Sequence, residues 1–270
     1  PSRGLGDVYK RQEWYRGIFR LLAIARRRFL LSRKGEKIMK KVLKLMLALV
    51  MTCAIAGCSS SSKSDADVTI TIGTSPDYAP YESLNKKGEI VGFDVDMAKL
   101  FEGYLSDMEG KTYSLEFKQM DFDNIVTQIQ GDQIDLGISG FTYSEDRVVE
   151  WSDPYLGTQQ VAIVPKGSSI TSNDQLVGKK LAAQTGATGE QAAKEVENAE
   201  VVSMKNVQDI FNGLASNQYD AAIVDLGVAK QYVSSGNFTQ LDGSLMDEKN
   251  YVIAKKGNTK TIKLINKCIK

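Results

Sequence analysis

The sequence predicts an α/β protein of two similar lobes, each a mostly parallel sheet flanked by helices. Apolar runs of strand length alternate with amphipathic helical patterns from residue 68 onward, which is typical of βαβ units. In addition, residues 122–138 align without gaps on residues 207–223, at an offset of 85. Each copy reads as a helix, a polar turn and a buried strand opened by Asp135 or Asp220. Such units are common in α/β proteins, so coincidence stays open for this match alone.

The individual elements follow from these patterns. About 204 residues remain for the fold from Asp67 on, enough for one large domain or two small lobes. Strands are predicted over 68–74, 114–120, 134–140, 161–166, 180–186, 200–204, 220–226 and 251–257. Helices are predicted over 92–105, 122–130, 189–198, 207–216 and 227–236.

The first 38 residues differ in composition from the rest of the chain. They contain eight of its nine arginines and no clean period, and the sequence becomes lysine-rich at Met39. We interpret residues 1–38 as a non-native or untranslated leader and Met39 as the true start. A basic N-terminal extension is the alternative.

Residues 39–57 have the layout of an export signal, with a basic start, a short apolar run and small residues before Cys58. The run is too short for a membrane-spanning helix. Ile55-Ala56-Gly57-Cys58 resembles a bacterial lipobox, so Cys58 is the predicted lipidation site. Residues 58–66 then form a polar tether to the outer face of the cytoplasmic membrane. An ordinary signal peptide with an incidental cysteine is the alternative.

Composition excludes several classes of function. From Cys58 on there are 20 basic and 30 acidic residues, a formal charge of −10, which argues against nucleic acid as a partner. The chain has no histidine, which excludes a His-based catalytic triad and a His-ligated zinc site. Once Cys53 is removed and Cys58 lipidated, Cys268 stands alone, so no intramolecular disulfide forms. We expect no metal and no cofactor.

The segment GISGFTYSEDRVVEWSDPY, residues 137–155, contains the most informative side chain. Arg147 is the one arginine among 19 lysines after Cys58. Its planar fork donates two parallel hydrogen bonds to a carboxylate, which lysine cannot reproduce. Alternatively, Ser144 begins a short helix and Arg147 pairs on the surface with Glu150 or Asp153. The uniqueness of Arg147 favours the buried role.

The 85-residue offset also relates Gly140 to Asp225. In open α/β sheets, ligands bind beyond the carboxyl ends of the strands, so two facing lobes would bring both residues to one cleft. Asp225 suits an ammonium group, although it could instead cap the helix that follows. The hydroxyl of Thr142 and the carbonyl of Gly140 add acceptors, and the Thr142 amide suits a carboxylate.

Further candidates lie in two loops. In QTGATGE, residues 184–190, a glycine permits close backbone approach and the amide of Thr188 points toward an anion. Tyr78 and Phe122 are predicted as opposite walls of the cleft, with ordinary packing as the alternative for each.

Together these residues carry a resemblance. From Val68 to Lys270 the chain resembles the extracellular substrate-binding proteins of bacterial ABC transporters for polar amino acids, family 3, with the type II periplasmic-binding-protein fold. The matching stretches are GTSPDYAPYE, GFDVDMAKLF, MDFDNI, GISGFTYSEDR with WSDPY, QTGATGE and YDAAIVD.

The resemblance implies the roles of the site residues. Arg147 and the amides of Thr142 and Thr188 hold the carboxylate of a free L-amino acid. Gly140, the Thr142 hydroxyl and Asp225 hold its ammonium group. Tyr78 and Phe122 flank its side chain, and the remaining predicted ligand-binding residues are Ser75, Phe141 and Gln184.

It also implies the organisation and the partners. The lobes comprise residues 67–158 plus 248–270, and residues 159–247, joined by a two-strand hinge with crossings near 157–161 and 247–252. The protein would be a monomeric binding protein, not an enzyme, that closes on its ligand and docks on the permease subunits.

The chain departs from the family pattern in two places. Family members often carry an acidic residue at the place of Ser75, and the chain stops in the helix TIKLINKCIK, so we expect a truncated C-terminus. Acids near the presumed pocket, Asp77, Glu82 and Asp121, favour a basic or polar ligand side chain.

Two alternative functions stay open. One is a dehydratase-like enzyme that uses Glu82 or Asp121 as acid or base, and the other is the amino-acid sensor domain of a receptor.

Overall fold

The computed structural model describes residues 66–270, over which strands and helices alternate. The leader, the signal segment and Cys58 lie outside these residues. Within them, no helix is long and apolar enough to cross a membrane. The helices are α1 (Phe93–Glu109), α2 (Phe122–Gln130), α3 (Thr188–Glu195), α4 (Val207–Ala215), α5 (Leu226–Val233) and α6 (Thr259–Ile269), with a 3₁₀ turn at Asn173–Leu176.

The strands form one large sheet and one small sheet. They are β1 (Val68–Thr74), β2 (Asp77–Tyr78), β3 (Glu82–Leu84), β4 (Ile90–Val91), β5 (Tyr113–Gln119), β6 (Leu136–Gly137), β7 (Val149–Pro165), β8 (Lys180–Gln184), β9 (Glu200–Met204), β10 (Ala221–Asp225), β11 (Phe238–Gln240) and β12 (Met246–Lys255). The large sheet has the order β5-β1-β6-β12-β7-β10-β8-β9, with β11 paired to β7, and the small sheet has the order β2-β3-β4.

The large sheet consists of two parallel sets of strands around an antiparallel centre. Strands β5, β1 and β6 pair in parallel on one side, and β10, β8 and β9 pair in parallel on the other. The long strands β12 and β7 lie between these sets and pair antiparallel. The predicted α/β architecture is confirmed, and the parallel sets belong to one large sheet with the antiparallel pair β7 and β12 at its centre.

The sequence repeat at offset 85 is a structural repeat. Helix α2 and helix α4 are both nine residues long, and both bounds differ by 85 positions. The turn that follows each helix contains a left-handed residue, Asp132 with φ 55° and Asn217 with φ 54°. Aspartate and asparagine tolerate this conformation better than most residues.

The repeated aspartates make the same contact. Asp135 accepts a hydrogen bond from the backbone amide of Thr71 in β1 (2.7 Å), and Asp220 accepts one from the amide of Lys180 in β8 (2.8 Å). Each aspartate thus joins the start of one strand to a neighbouring parallel strand. This contact gives the repeat a physical reason.

The two segments predicted as crossings run side by side. Gly157 of β7 pairs with Lys249 of β12, and Gln159 pairs with Asp247. These residues lie in the middle of the sheet, between the two parallel sets. The lobe boundaries themselves stay a prediction.

Buried faces attach the helices to this sheet. Helix α1 buries Ala98, Phe101 and Leu105, at a spacing of three and four residues, against β1 and α6. Burying a side chain such as Leu105 stabilises the fold by about 1.5–3 kcal/mol. The helix ends at Gly110, whose φ of 63° is a left-handed cap that glycine adopts without strain.

Several predicted elements differ from the observed ones. The strand predicted over 134–140 is only Leu136–Gly137, because the chain turns at Gly140 with φ +57°. The strand predicted over 161–166 is the end of the 17-residue β7, whose Pro154 and Gly157 argue against a strand in sequence. Strands β2, β3, β4 and β11 were not predicted. The short helix considered at Ser144 is wrong, since a turn stands there before β7 begins.

Candidate functional site

Eight of the ten predicted ligand-binding residues line one small cavity. Its open volume is only about 10 Å³, roughly the space of one water molecule, so the lining side chains must move apart to admit a larger ligand. The eight are Tyr78, Phe122, Gly140, Thr142, Arg147, Gln184, Thr188 and Asp225, and Ser139, Gln160 and Ala187 complete the lining. Gly140 and Asp225, related by the repeat, therefore reach the same cavity.

The guanidinium of Arg147 lines this cavity and bonds to two backbone carbonyls. It donates from Nη1 to the carbonyl of Thr142 (2.5 Å) and from Nη2 to the carbonyl of Gly186 (2.7 Å). It also lies 5.5 and 5.3 Å from the ring centroids of Phe122 and Phe141, within cation–π range. Burial lowers the pKa of Arg147 to about 10, so the group remains a cation at neutral pH.

The alternative of a surface ion pair for Arg147 is wrong. Glu150 pairs with Lys256 (3.4 Å) and Asp153 pairs with Lys270 (3.5 Å). Both acids therefore already have lysine partners, and the side chain of Arg147 is directed to the cavity.

Asp225 is 2% exposed and keeps one oxygen unpaired. Its Oδ1 accepts hydrogen bonds from the hydroxyls of Tyr81 (2.5 Å) and Thr158 (2.6 Å) and from the amide of Gly227 (3.0 Å). No donor among residues 66–270 bonds to Oδ2. The capping alternative is confirmed, because the Gly227 contact caps α5, and the role of Asp225 toward an ammonium group stays a prediction. Burial raises the pKa of Asp225, and the Thr158 and Tyr81 donors oppose this shift.

Thr142 meets a buried acid that sequence analysis missed. Its hydroxyl donates to Glu248 Oε2 (2.9 Å), and Nε2 of Gln160 donates to the same oxygen (3.1 Å). Since a hydroxyl has a single proton, the Thr142 oxygen can only accept from any further group. Burial raises the pKa of Glu248, and bonds from Thr188, Gln160 and Thr142 oppose this shift.

Glu248 and Gln160 gave no signal in the sequence. They stand in β12 and β7 with no motif around them, and their side-chain partners lie 28 to 106 positions away. One oxygen of each, Glu248 Oε1 and Gln160 Oε1, is buried without a hydrogen-bond partner among the described residues. Buried polar atoms of this kind are usually paired, so these two oxygens are exceptions among the described residues.

The QTGATGE loop supplies an anion-binding helix start. Thr188 is the first residue of α3, so its amide has no partner within the helix. The partial positive charge of a helix N-terminus favours an anion there. Gln184, at the end of β8, donates from Nε2 to the carbonyl of Lys205 (3.1 Å).

Aromatic side chains form two walls. Tyr78 and Phe122 are 8% and 7% exposed. The hydroxyl oxygen of Tyr78 accepts from the amide of Asp225 (3.1 Å), and its ring stacks on Tyr81 with centroids 6.0 Å apart. Phe122 stacks on Phe141 with centroids 4.7 Å apart. Phe141 is fully buried and supports the wall without lining the cavity.

Ser75 lies one contact away from the cavity. Its hydroxyl donates to Asp77 Oδ1 (2.8 Å), and its amide donates to Ser139 Oγ (3.1 Å). Asp77 also accepts from the amide of Val207 at the start of α4 (2.7 Å). Ser75 and Asp77 line a neighbouring surface pocket. Burial raises the pKa of Asp77.

The acids considered for catalysis do not line the cavity. Glu82 is fully buried and accepts a hydrogen bond from Ser139 (2.8 Å). Asp121 forms an ion pair with Lys205 (3.0 Å).

Comparison with known proteins agrees with the resemblance seen in the sequence. The family model described as "Bacterial extracellular solute-binding proteins, family 3" matches residues 70–270. The arginine-binding extracellular protein ArtP of Bacillus subtilis (strain 168) is 31% identical over 243 residues, 86% of this chain and 92% of ArtP. The ABC transporter glutamine-binding protein GlnH of the same organism is 30% identical over 254 residues, with the same two coverages.

Solved structures share the fold. An ancestral arginine-binding protein bound to arginine superposes with a TM-score of 0.69 at 34% identity, covering 74% of this chain and 90% of that one. These relatives are binding proteins by name, in agreement with the expectation of a binding protein rather than an enzyme. The chain belongs to the family 3 bacterial extracellular solute-binding proteins.

Proposed function

We propose that this protein is the amino-acid-binding component of an ABC importer and that it holds a free L-amino acid, basic or polar in its side chain, in the cavity described above. One observation carries the proposal. The half-buried guanidinium of Arg147 and the buried carboxylate of Asp225, whose Oδ2 takes no hydrogen bond from the described residues, line the same cavity. A free amino acid presents the complementary pair, a carboxylate and an ammonium group a few ångströms apart.

The ligand carboxylate would meet three kinds of donor. Arg147 uses two of its five N–H donors on backbone carbonyls, and the others remain for an anion. The amides of Thr142 and Thr188 add donors from different parts of the chain. Burial around Arg147 strengthens a charge-assisted bond there, because the local dielectric is low.

The ligand ammonium would meet three acceptors. These are Asp225 Oδ2, the Thr142 hydroxyl oxygen and the Gly140 carbonyl. An ammonium group has three protons, so the number of acceptors matches the number of donors. The bond from Thr142 to Glu248 supports this role, since it leaves the Thr142 oxygen only as an acceptor.

A basic or polar ligand side chain is supported by Asp77 and by the relatives. Asp77 lines the pocket next to the cavity and its carboxylate is partly buried. Arginine-binding and glutamine-binding proteins are among the relatives. Glu82 and Asp121, which also led to this expectation in the sequence, do not support it, because one is fully buried and the other is paired with a lysine.

Uptake requires closure and delivery. Residues 67–158 plus 248–270 and residues 159–247 would form two lobes that close as a hinge about β7 and β12. The two parallel strand sets on either side of these strands support this division. The closed monomer would dock on the permease subunits, held at the outer face of the membrane by a lipid on Cys58.

A ligand screen tests the proposal. The purified protein is heated with each common L-amino acid in turn, and hits are titrated by calorimetry. We expect a higher melting temperature with a small subset of basic or polar amino acids, because a ligand that binds only the folded state stabilises it by RT ln(1 + [L]/Kd). No shift with any amino acid contradicts the proposal, and chemical conversion of the ligand supports the enzyme instead.

The lipid anchor is tested separately. The full chain and Cys58→Ser are expressed in a bacterial host and the membrane and soluble fractions are separated. We expect the wild-type protein in the membrane fraction and the variant in the soluble fraction. Equal partitioning of both proteins argues against lipidation of Cys58.

A further inference from the structure

Two carboxyl groups meet in the interior behind the cavity. Glu82 of β3 and Asp94 of α1 are both 0% exposed. The backbone brings them together, because the amide of Asp94 donates to the carbonyl of Tyr81, the residue before Glu82 (3.0 Å). The two carboxyl groups are close enough to shift each other's pKa, and they accept hydrogen bonds from two consecutive residues, Ser139 and Gly140. Neither belongs to the residues that line the cavity.

The pair holds two consecutive residues at the cavity edge. Ser139 donates from its hydroxyl to Glu82 Oε1 (2.8 Å), and Gly140 donates from its amide to Asp94 Oδ2 (2.9 Å). The hydroxyl of Tyr155 also donates to Asp94, at 2.9 and 3.0 Å to its two oxygens. The bond from Gly140 to Asp94 fixes the backbone at this glycine, whose φ of +57° turns the chain away from β6.

The donors around the pair are too few for two anions. No lysine or arginine among residues 66–270 forms an ion pair with Glu82 or Asp94. Glu82 Oε2 is buried and takes no hydrogen bond from a donor group. Two buried like charges in contact are strongly unfavourable. A proton on Glu82 Oε2, donated to Asp94, replaces this repulsion with a hydrogen bond.

We propose that Glu82 and Asp94 share one proton, with Glu82 neutral and Asp94 ionised, and that this pair positions Ser139 and Gly140 for the ligand ammonium. The positioning part rests on the proposed function. Asp94 is the ionised member because two other donors, Gly140 and Tyr155, already point to it. The pair does not touch the ligand and acts through the Gly140 backbone.

The surroundings favour a single negative charge. The other titratable groups that interact with the pair are Asp77, Asp225, Tyr81 and Tyr155, all of which are acids or phenols. Burial first, and then the Asp94 charge, raise the pKa of Glu82 well above its usual value. Burial raises the pKa of Asp94 to about 6.

This arrangement gives a direction for stability against pH. A carboxyl group whose pKa is raised by folding binds more protons in the native state than in the unfolded state. Its contribution is therefore full below the unfolded pKa and is lost as pH rises toward the folded pKa. For Glu82, stability falls with rising pH from the ordinary glutamate value of about 4.3 upward.

The variant Glu82→Gln tests the shared proton. Glutamine keeps an acceptor for Ser139 and a donor for Asp94, and it does not titrate. We expect the melting temperature of this variant to equal or exceed that of the wild type at pH 8, with the difference shrinking toward pH 5. Exposed Glu116→Gln is the matched control and should follow the wild type throughout. A Glu82→Gln curve that parallels the wild type, or lies below it at every pH, overturns the shared proton.

Ligand titrations test the positioning role. With Glu82→Gln we expect a Kd within about threefold of the wild type, and with Glu82→Ala about tenfold weaker or more. With Asp94→Asn we also expect about tenfold loss, because a single amide oxygen replaces an acceptor shared by three donors. The loss should be confined to the amino acid and absent for its des-amino analogue.

The outcomes separate the two proposals. Equal losses for the amino acid and the des-amino analogue overturn the positioning role. If the wild-type protein binds no amino acid, the proposed function and the positioning role both fail. The pH curves of Glu82→Gln need no ligand, so they decide on the shared proton in either case.

Discussion

The hydroxyl of Thr142 donates a hydrogen bond to the carboxylate of Glu248 across 106 positions of the chain, over 2.9 Å. Glu248 also accepts from Gln160, whose amide lies 3.5 Å from the hydroxyl of Thr188. One acid in β12 thus orients groups that we assign to both ends of an amino acid. Its effect on binding should pass through Thr142, which makes it testable by coupling.

Glu248→Gln and Thr142→Val form a double-mutant cycle. We expect Glu248→Gln to weaken amino-acid binding about tenfold, or ~1.4 kcal/mol, because the Thr142 hydroxyl is then no longer restricted to accepting. In the Thr142→Val background the same change should have little further effect. Calorimetry measures all four affinities, and the neighbouring Asp247→Asn serves as the control. Additive losses would show that Glu248 acts directly by its charge.

Asp77→Asn tests the choice of side chain. The variant keeps an acceptor for the Val207 amide and loses a negative charge beside the cavity. We expect the preference for arginine over glutamine to fall by about tenfold, or ~1.4 kcal/mol, with a smaller change for glutamine itself. Competition binding with the two amino acids gives this ratio. An unchanged ratio removes Asp77 from the account of specificity.

Asp135→Ala and Asp220→Ala test the structural repeat. Each change removes a charge-assisted hydrogen bond to a strand amide, and we expect each to lower the free energy of unfolding by about 1–2 kcal/mol. Urea denaturation measures the loss, and the exposed helical Asp107→Ala should stay within about 0.5 kcal/mol of the wild type. Marked inequality between the two aspartates would mean that the two copies are not equivalent.

As the pH is lowered, ligand binding should weaken at a higher pH than that at which an ordinary aspartate loses its charge. Burial raises the pKa of Asp225, so its charge is lost as pH falls through a value above the usual aspartate pKa of about 3.9. The ligand ammonium then loses its counter-charge. Titrations between pH 8 and pH 4.5 should show a rising Kd toward the acid end. Asp225→Asn should bind weakly with a flatter profile, and a steep acid loss in that variant would point to another group.

The sequence was sufficient for elements that depend on local pattern. Helices α2 and α4 begin at Phe122 and Val207 as predicted, because their apolar spacing and the polar turns after them are local signals. The long strand β7 was missed in its first half, since Pro154 and Gly157 interrupt any strand pattern there. Only the pairing with β12 makes it one strand.

The site was predictable where a residue type was unusual. Arg147 was conspicuous as one arginine among lysines, and Asp225 followed from its place in the repeat. Glu248, Gln160 and Asp94 carry no such mark, because the contacts that give them a role include partners 46, 88 and 106 positions away in the chain. Contacts of this kind exist only once the chain has folded.

The most direct test of the central claim, that Arg147 and Asp225 hold the two charges of an amino acid, is a crossed calorimetric titration. Arg147→Lys and Asp225→Asn are titrated with the bound amino acid, its des-carboxy analogue and its des-amino analogue. We expect each variant to lose about 2–5 kcal/mol for the amino acid, as when one partner of a buried charge pair is impaired. Exposed Lys256→Arg serves as the control substitution.

The affinity losses for the two analogues show which ligand group each residue holds. Arg147→Lys should lose little for the des-carboxy analogue, and Asp225→Asn should lose little for the des-amino analogue. Unchanged amino-acid affinity in Arg147→Lys, or equal losses for all three ligands in both variants, would contradict the account.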